Sequence, residues 1–109
     1  MSRLVPNLLM LHSNNIEDRI NDEVAATGLS KSAVARTAID RGFSQVMEMS
    51  RGQILSMTHN EIKMTELPRI SAHLARQTNR MISVFASDMG LPVWRIYSLS
   101  IDVGLTVLA

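Results

Sequence analysis

The 109-residue chain has no cysteine, few aromatic residues (4%) and a formal net charge of only +1. Without thiols, disulfide frameworks and thiolate metal sites are excluded. Near-neutrality, with 11 Lys plus Arg against 10 Asp plus Glu, means that any nucleic-acid contact must come from local geometry rather than bulk attraction. Long apolar runs are also missing. The stretch from Leu4 to Ile16 is broken by Pro6, Asn7, Asn14 and Asn15, so neither a membrane span nor a secretory leader is read there, and a cytoplasmic location is expected.

What is present suits a folded chain: 46% hydrophobic and 19% charged residues are too apolar for disorder. A chain this short buries only about 60% of its unfolded surface, so a core shared between repeats or between chains is expected, as is a homo-oligomer. An enzyme pocket is hard to accommodate at that size. The bases are spread unevenly: residues 1–48 carry five bases and six acids, and residues 49–109 six and four.

Along the chain, Asn7 to Ser13 is short, apolar and bounded by Pro6 and polar residues, which reads as a strand. Asn14 is the expected N-cap of a first helix, with Glu17 and Asp18 in its first turn and Ile16, Ile20, Val24 and Thr27 on one face. Gly28 ends it as a left-handed cap, followed by Leu29. Ser30 caps a second helix carrying Val34, Ala38, Ile39, Phe43, Val46 and Met47, in which Gly42 is a candidate stop.

Residues 49–60 lack a clean period and read as a connector. Glu61 to Leu67 alternates polar with apolar and reads as a second strand, Ile62 and Met64 inward and Glu61, Lys63 and Thr65 outward. Pro68 is then expected to start a helix with an apolar stripe of Ile70, Leu74, Thr78, Met81, Ile82, Phe85 and Met89. Gly90-Leu91 closes it, and Pro92 suits the first turn of a last helix carrying Ile96, Leu99, Ile101, Val103 and Leu105.

Sliding the chain by 62 residues aligns Gly28-Leu29 with Gly90-Leu91, Ile39-Asp40 with Ile101-Asp102 and Gly42 with Gly104. Val34 then meets Ile96, and Phe43 meets Leu105. The element order repeats as well, which points to duplication, with one unit at 1–48, the connector at 49–60, and a second, divergent unit at 61–109 whose first helix is longer.

The segment Gly28-Leu-Ser-Lys-Ser-Ala-Val-Ala-Arg-Thr-Ala-Ile-Asp-Arg-Gly42 resembles the second half of ribbon-helix-helix DNA-binding proteins, the group of Arc- and MetJ-type repressors. The resemblance covers residues 7–48 well and 61–109 more loosely. It implies a mainly α fold with a short β-ribbon, strand-helix-helix twice over, and double-stranded DNA as partner through a ribbon in the major groove. The expected roles are transcriptional repressor or plasmid-transfer (relaxosome) accessory protein.

Counting back from the turn, the resemblance places Leu8, Met10 and His12 inward and Asn7, Leu9 and Leu11 toward the groove. Two leucines there depart from the polar residues that base edges require. Lys63 and Thr65 are the better base-facing candidates of the second ribbon, beside Glu61. Ser30, Lys31 and Ser32 offer hydroxyls, a cation and first-turn amides to a phosphate, with Arg3 and Arg69 as further phosphate candidates.

The plainer readings are an ordinary cap at Ser30 and solvating residues at Lys63 and Thr65. Eight methionines read mostly as core fillers, and Trp94 as an anchor of the last helix. His12, His59 and His73 lack metal spacing, and Asp40 and Asp102 read as structural hydrogen-bond partners. No Ser/His/Asp grouping or glycine-rich phosphate loop stands out, so neither catalysis nor a cofactor is expected. The alternative function is a protein-interaction or oligomerisation module, or an antitoxin that grips another protein.

Overall fold

The computed structural model describes residues 3–60 and 63–108. It is mainly helical. Strand β1 (Leu4–Met10) leads to helices α1 (Asn14–Thr27) and α2 (Lys31–Val46), then a short α3 (Arg51–Met57). A 3-10 turn at Met64–Glu66 precedes strand β2 (Arg69–Ala75), followed by α4 (Arg76–Met89) and α5 (Val93–Leu108). The two strands pair antiparallel within the one chain, from Leu4 opposite Ala75 to Met10 opposite Arg69, and a further bond from the Leu11 N–H to the Pro68 carbonyl (2.9 Å) extends the ladder.

The helices repeat at one spacing. α1 and α4 have 14 residues each, α2 and α5 have 16 each, and both pairs start 62 positions apart. Each first helix ends at a glycine with positive φ, Gly28 at 74° and Gly90 at 67°, a conformation that costs glycine nothing and other residues strain. Ser30 caps α2 as expected, its hydroxyl accepting from the Ala33 N–H at 3.1 Å. The first cap is one residue earlier than expected: the Ser13 hydroxyl, not Asn14, accepts from the Asn15 N–H.

The most extensive helix packing is α2 against α5, and it explains Gly42. That glycine does not stop the helix. A methyl group there would collide with the Ser100 carbonyl, and one at Gly104 would collide with the Ala38 carbonyl. The two glycines therefore let the backbones of α2 and α5 touch, a spacing that any side chain would forbid. Around this crossing the repeat-related pairs Ile39 with Ile101, Val34 with Ile96 and Phe43 with Leu105 are all buried.

One continuous core joins both halves, taking Leu9 and Leu11 from one end of the chain and Ile70, Ala72 and Leu74 from β2. Phe43 meets Phe85 edge-on at 5.8 Å, tying α2 to α4. The radius of gyration, 13.0 Å, is that of a single folded unit of about 100 residues, so the halves do not stand apart.

Several sequence expectations need correction. The second strand lies at Arg69–Ala75 rather than 61–67, and Pro68 precedes it instead of opening a helix. Ile70 and Leu74 are thus strand residues, because a spacing of four satisfies a period of 2 as well as one of 3.6. The connector at 49–60 holds α3, started by a capping box between Ser50 and Gln53. The described methionines mostly stay out of the core: Met47, Met57, Met64 and Met81 are exposed, and Met10, Met49 and Met89 are half-buried, with Met49 and Met89 packed against the core's edge. Ile, Leu, Val and Ala fill the core. No helix of the described residues is long and apolar enough to cross a membrane.

Candidate functional site

The two-stranded ribbon has one face on the core and one in solvent. On β2 the alternation is regular, with Ile70, Ala72 and Leu74 buried and Arg69, Ser71 and His73 exposed. On β1 the exposed side carries Leu4 (44% exposed), Pro6 and Leu8 (69%), with half-buried Met10 at the end of the row. The register sets Pro6 opposite His73, Leu8 opposite Ser71 and Met10 opposite Arg69. The outward surface is therefore one apolar row beside one polar row, and none of its residues is acidic.

This reverses the expectation for the first strand. Leu9 and Leu11 are buried at 3% and 0%, and Asn7 is half-buried with its side-chain amide donating to the Val5 carbonyl. Of the positions read as inward, Leu8 and Met10 are on the outward side, while His12, just beyond the strand, is buried as expected. One residue of register explains it. At the 62-residue spacing of the helices, buried Ile70, Ala72 and Leu74 correspond to Leu8, Met10 and His12, yet the apolar residues buried here are Leu9 of β1 and Leu11 just after it. The joint between β1 and α1 thus differs from that between β2 and α4 by one position, and a one-residue slip turns every strand side chain over.

Of the second-strand candidates, Lys63 immediately precedes the 3-10 turn and Thr65 lies within it, both exposed and neither on a strand. Glu61 and Ile62 lie outside the described residues. Arg69, expected only as a phosphate contact, opens β2 on its outward face. Arg3 is exposed just before β1. Ser71 and His73 also lie on this face, and the signal for them in the sequence is the clean alternation of the run Arg-Ile-Ser-Ala-His-Leu-Ala.

The first turns of α2 and the middle of α5 fix the ribbon edges. The His73 N–H donates to the Ser32 hydroxyl (2.7 Å), and the Arg36 guanidinium donates to the His73 carbonyl (3.0 Å). Ser32 is therefore occupied in holding β2, while Ser30 is occupied in capping. Lys31 stands 4.0 Å from Glu17; the pair is exposed enough to contribute little, and the ammonium remains accessible to another anion. Pro6 falls where its missing N–H would point away from β2, so the ladder loses no bond.

The β1 side is held by a polar row. The His12 N–H donates to the Ser98 hydroxyl (2.8 Å), and the imidazole meets Ser98 Oγ through Nδ1 (2.5 Å) and Asp102 through Nε2 (3.4 Å). Arg19 donates to Asp102 Oδ1 (2.5 Å) and to the Asp102 carbonyl, and Asn60 donates to the His12 carbonyl. The hydrogen bond from His12, reinforced by Arg19, holds the Asp102 carboxyl below its ordinary range against the opposing effect of burial.

Ser98, His12 and Asp102 are the groups of a hydrolytic triad, a grouping the sequence did not suggest. The geometry does not suit nucleophilic attack. Ser98 is fully buried and its hydroxyl already accepts a backbone N–H, so a substrate carbonyl has no approach. The row joins β1 to α5 as structure. A hollow lined by Arg19, Asp22, Glu23 and Leu105, about 170 Å³, is smaller than common ligand pockets of about 300 Å³ or more.

The start of α5 differs from that of α2. Arg95 lies over the Trp94 ring (4.8 Å) and donates to the Thr58 carbonyl and hydroxyl (3.2 and 2.8 Å). Its cation is held by the fold, whereas Lys31 at the other helix start is exposed at the surface beside Glu17. Comparison of the chain with protein-family models, curated proteins and solved structures gives no match in any of the three.

Proposed function

We propose that the chain is a double-stranded DNA-binding protein of ribbon-helix-helix type, in which one chain supplies both strand-helix-helix units and its ribbon enters the major groove. The observation that carries this reading is the antiparallel pairing of β1 with β2 in one chain, with an outward face free of acids and bearing Arg69, Ser71 and His73. A two-stranded ribbon fits the major groove, whose width is about 12 Å. Arg69, Ser71 and His73 take the base-facing roles that the sequence pattern assigns to Lys63 and Thr65. Lys31, with the first-turn amides of α2, takes the phosphate-contact role, and Arg3 is placed at the end of the ribbon to add to it.

The biological role that suits such a protein is a transcriptional repressor or a plasmid-transfer accessory protein, with several copies side by side on repeated sites. The interaction-module alternative loses its first motive, since Leu9 and Leu11 are buried, and now draws on exposed Leu4 and Leu8. A gel shift separates the two. Retention of mixed-sequence duplex at micromolar protein in low salt, weakening as salt rises, is expected of the DNA-binding reading. No retention there removes it and leaves the protein-binding reading.

A further inference from the structure

The outward face of the ribbon is asymmetric in a way its scaffold is not. Along β1 it presents Leu4, Pro6, Leu8 and Met10; along β2 it presents Arg69, Ser71 and His73. Leu8, 69% exposed at mid-strand, is the most exposed large hydrophobic residue described. It contributes nothing to the core, and its apolar neighbours Leu4 and Pro6 share its face. In the major groove the apolar feature of a base pair is the thymine C5-methyl group, while guanine offers two acceptors, O6 and N7, that match an arginine fork.

We infer that this ribbon reads a non-palindromic duplex, with thymine methyl groups packed along the Leu4–Pro6–Leu8 row and hydrogen-bonding base edges, guanine at Arg69, along the other. The inference rests on the DNA-binding reading above and specifies its target. Leu4 to Leu8 spans about 13 Å of strand, close to four base steps of about 3.4 Å, so a short run of A·T pairs fits the row. The charge distribution agrees: the cation and the other hydrogen-bonding side chains of the face lie on β2, and no carboxylate repels the groove's phosphate walls.

The test begins with selection of bound duplexes from a random-sequence pool by the full chain. A selected site without two-fold symmetry, with thymines over one half, is expected. Deoxyuridine in place of those thymines removes only the methyl groups and should weaken binding about fourfold for each contacted base. In Leu8→Ala, whose parent side chain lies outside the core, that penalty should shrink at the central thymine, while Arg69→Ala should relax the guanine preference and leave the deoxyuridine penalty intact. A palindromic selected site, or a deoxyuridine duplex bound as tightly as its parent, overturns the inference and leaves DNA binding standing. Enrichment of no duplex at all overturns both.

Discussion

The two halves of the molecule are alike inside and unlike outside. α1 and α2 match α4 and α5 in length and spacing, both first helices end at a left-handed glycine, and Gly42 and Gly104 make reciprocal close approaches at the α2–α5 crossing. The outward strand residues, by contrast, are apolar in one half and polar in the other, and the second helices start with Ser30-Lys31-Ser32 and Pro92-Val93-Trp94. The aspartates diverge in the same way. Desolvation raises the Asp40 carboxyl against the pull of Arg36, whereas hydrogen bonds from His12 and Arg19 lower Asp102. Packing at the crossing constrains residues in pairs, so the halves stay alike there; a surface position has no such partner and is free to specialise.

The largest expected effect comes from breaking the likeness at the crossing. Helix propensity alone says that Gly42→Ala should stabilise α2 by about 1 kcal/mol. The new methyl would meet the Ser100 carbonyl, backbone that cannot rotate aside, and overpacking of that kind costs about 3 kcal/mol or more. Urea unfolding should therefore show a net loss of about 2 kcal/mol, with Gly104→Ala similar. Gly52→Ala in α3 is the control: only the Ser50 hydroxyl lies near, at 4.0 Å, so propensity should win and stability rise.

Asp102→Asn tests the divergence of the aspartates and should cost about 1–2 kcal/mol near neutral pH, because it weakens bonds to Arg19 and His12 in a partly exposed site. A carboxyl lowered in the folded state stabilises above the ordinary aspartate value of about 3.9, and that stability is lost as pH falls through the lower folded value. Unfolding followed from pH 7 to pH 2 should thus show the wild type and Asp102→Asn converging at the acid end. Asp40→Asn should show no such loss, because its shift has the opposite sign.

A smaller effect should come from making the halves more alike. Ser100 occupies the place of Ala38 in the repeat, is fully buried, and its hydroxyl has no hydrogen-bond partner among the described residues. Ser100→Ala removes an unsatisfied polar group and should raise stability by about 1 kcal/mol, read as a higher urea midpoint with unchanged slope.

Helices α1, α2 and α5 and the two glycine turns were legible in the sequence because caps and glycines act locally: Ser30, Gly28 and Gly90 are where the pattern put them, whereas α3 and the start of α4 were not legible. The 62-residue spacing between the helix pairs was legible for the same reason. The strands were not. In β1 the run Leu-Leu-Met-Leu is apolar at every position, so nothing in it says which face is buried, and a count from the turn misses the extra residue before α1. In β2, Ile70 and Leu74 fit a helix stripe as well as a strand face, and the equally alternating stretch at 61–67 drew the strand eight residues too early. Only pairing across the chain resolves both ambiguities, and with them the identity of the exposed residues.

The proposed contact of the outward ribbon face with duplex DNA is tested most directly by amide chemical shifts of the labelled chain titrated with duplex. Changes at Leu8, Ser71, His73 and Lys31, with Ser87 and Asp88 at the far end of α4 unmoved, are the predicted result. Saturating duplex that leaves the ribbon amides in place, or moves only those of α4, would contradict it.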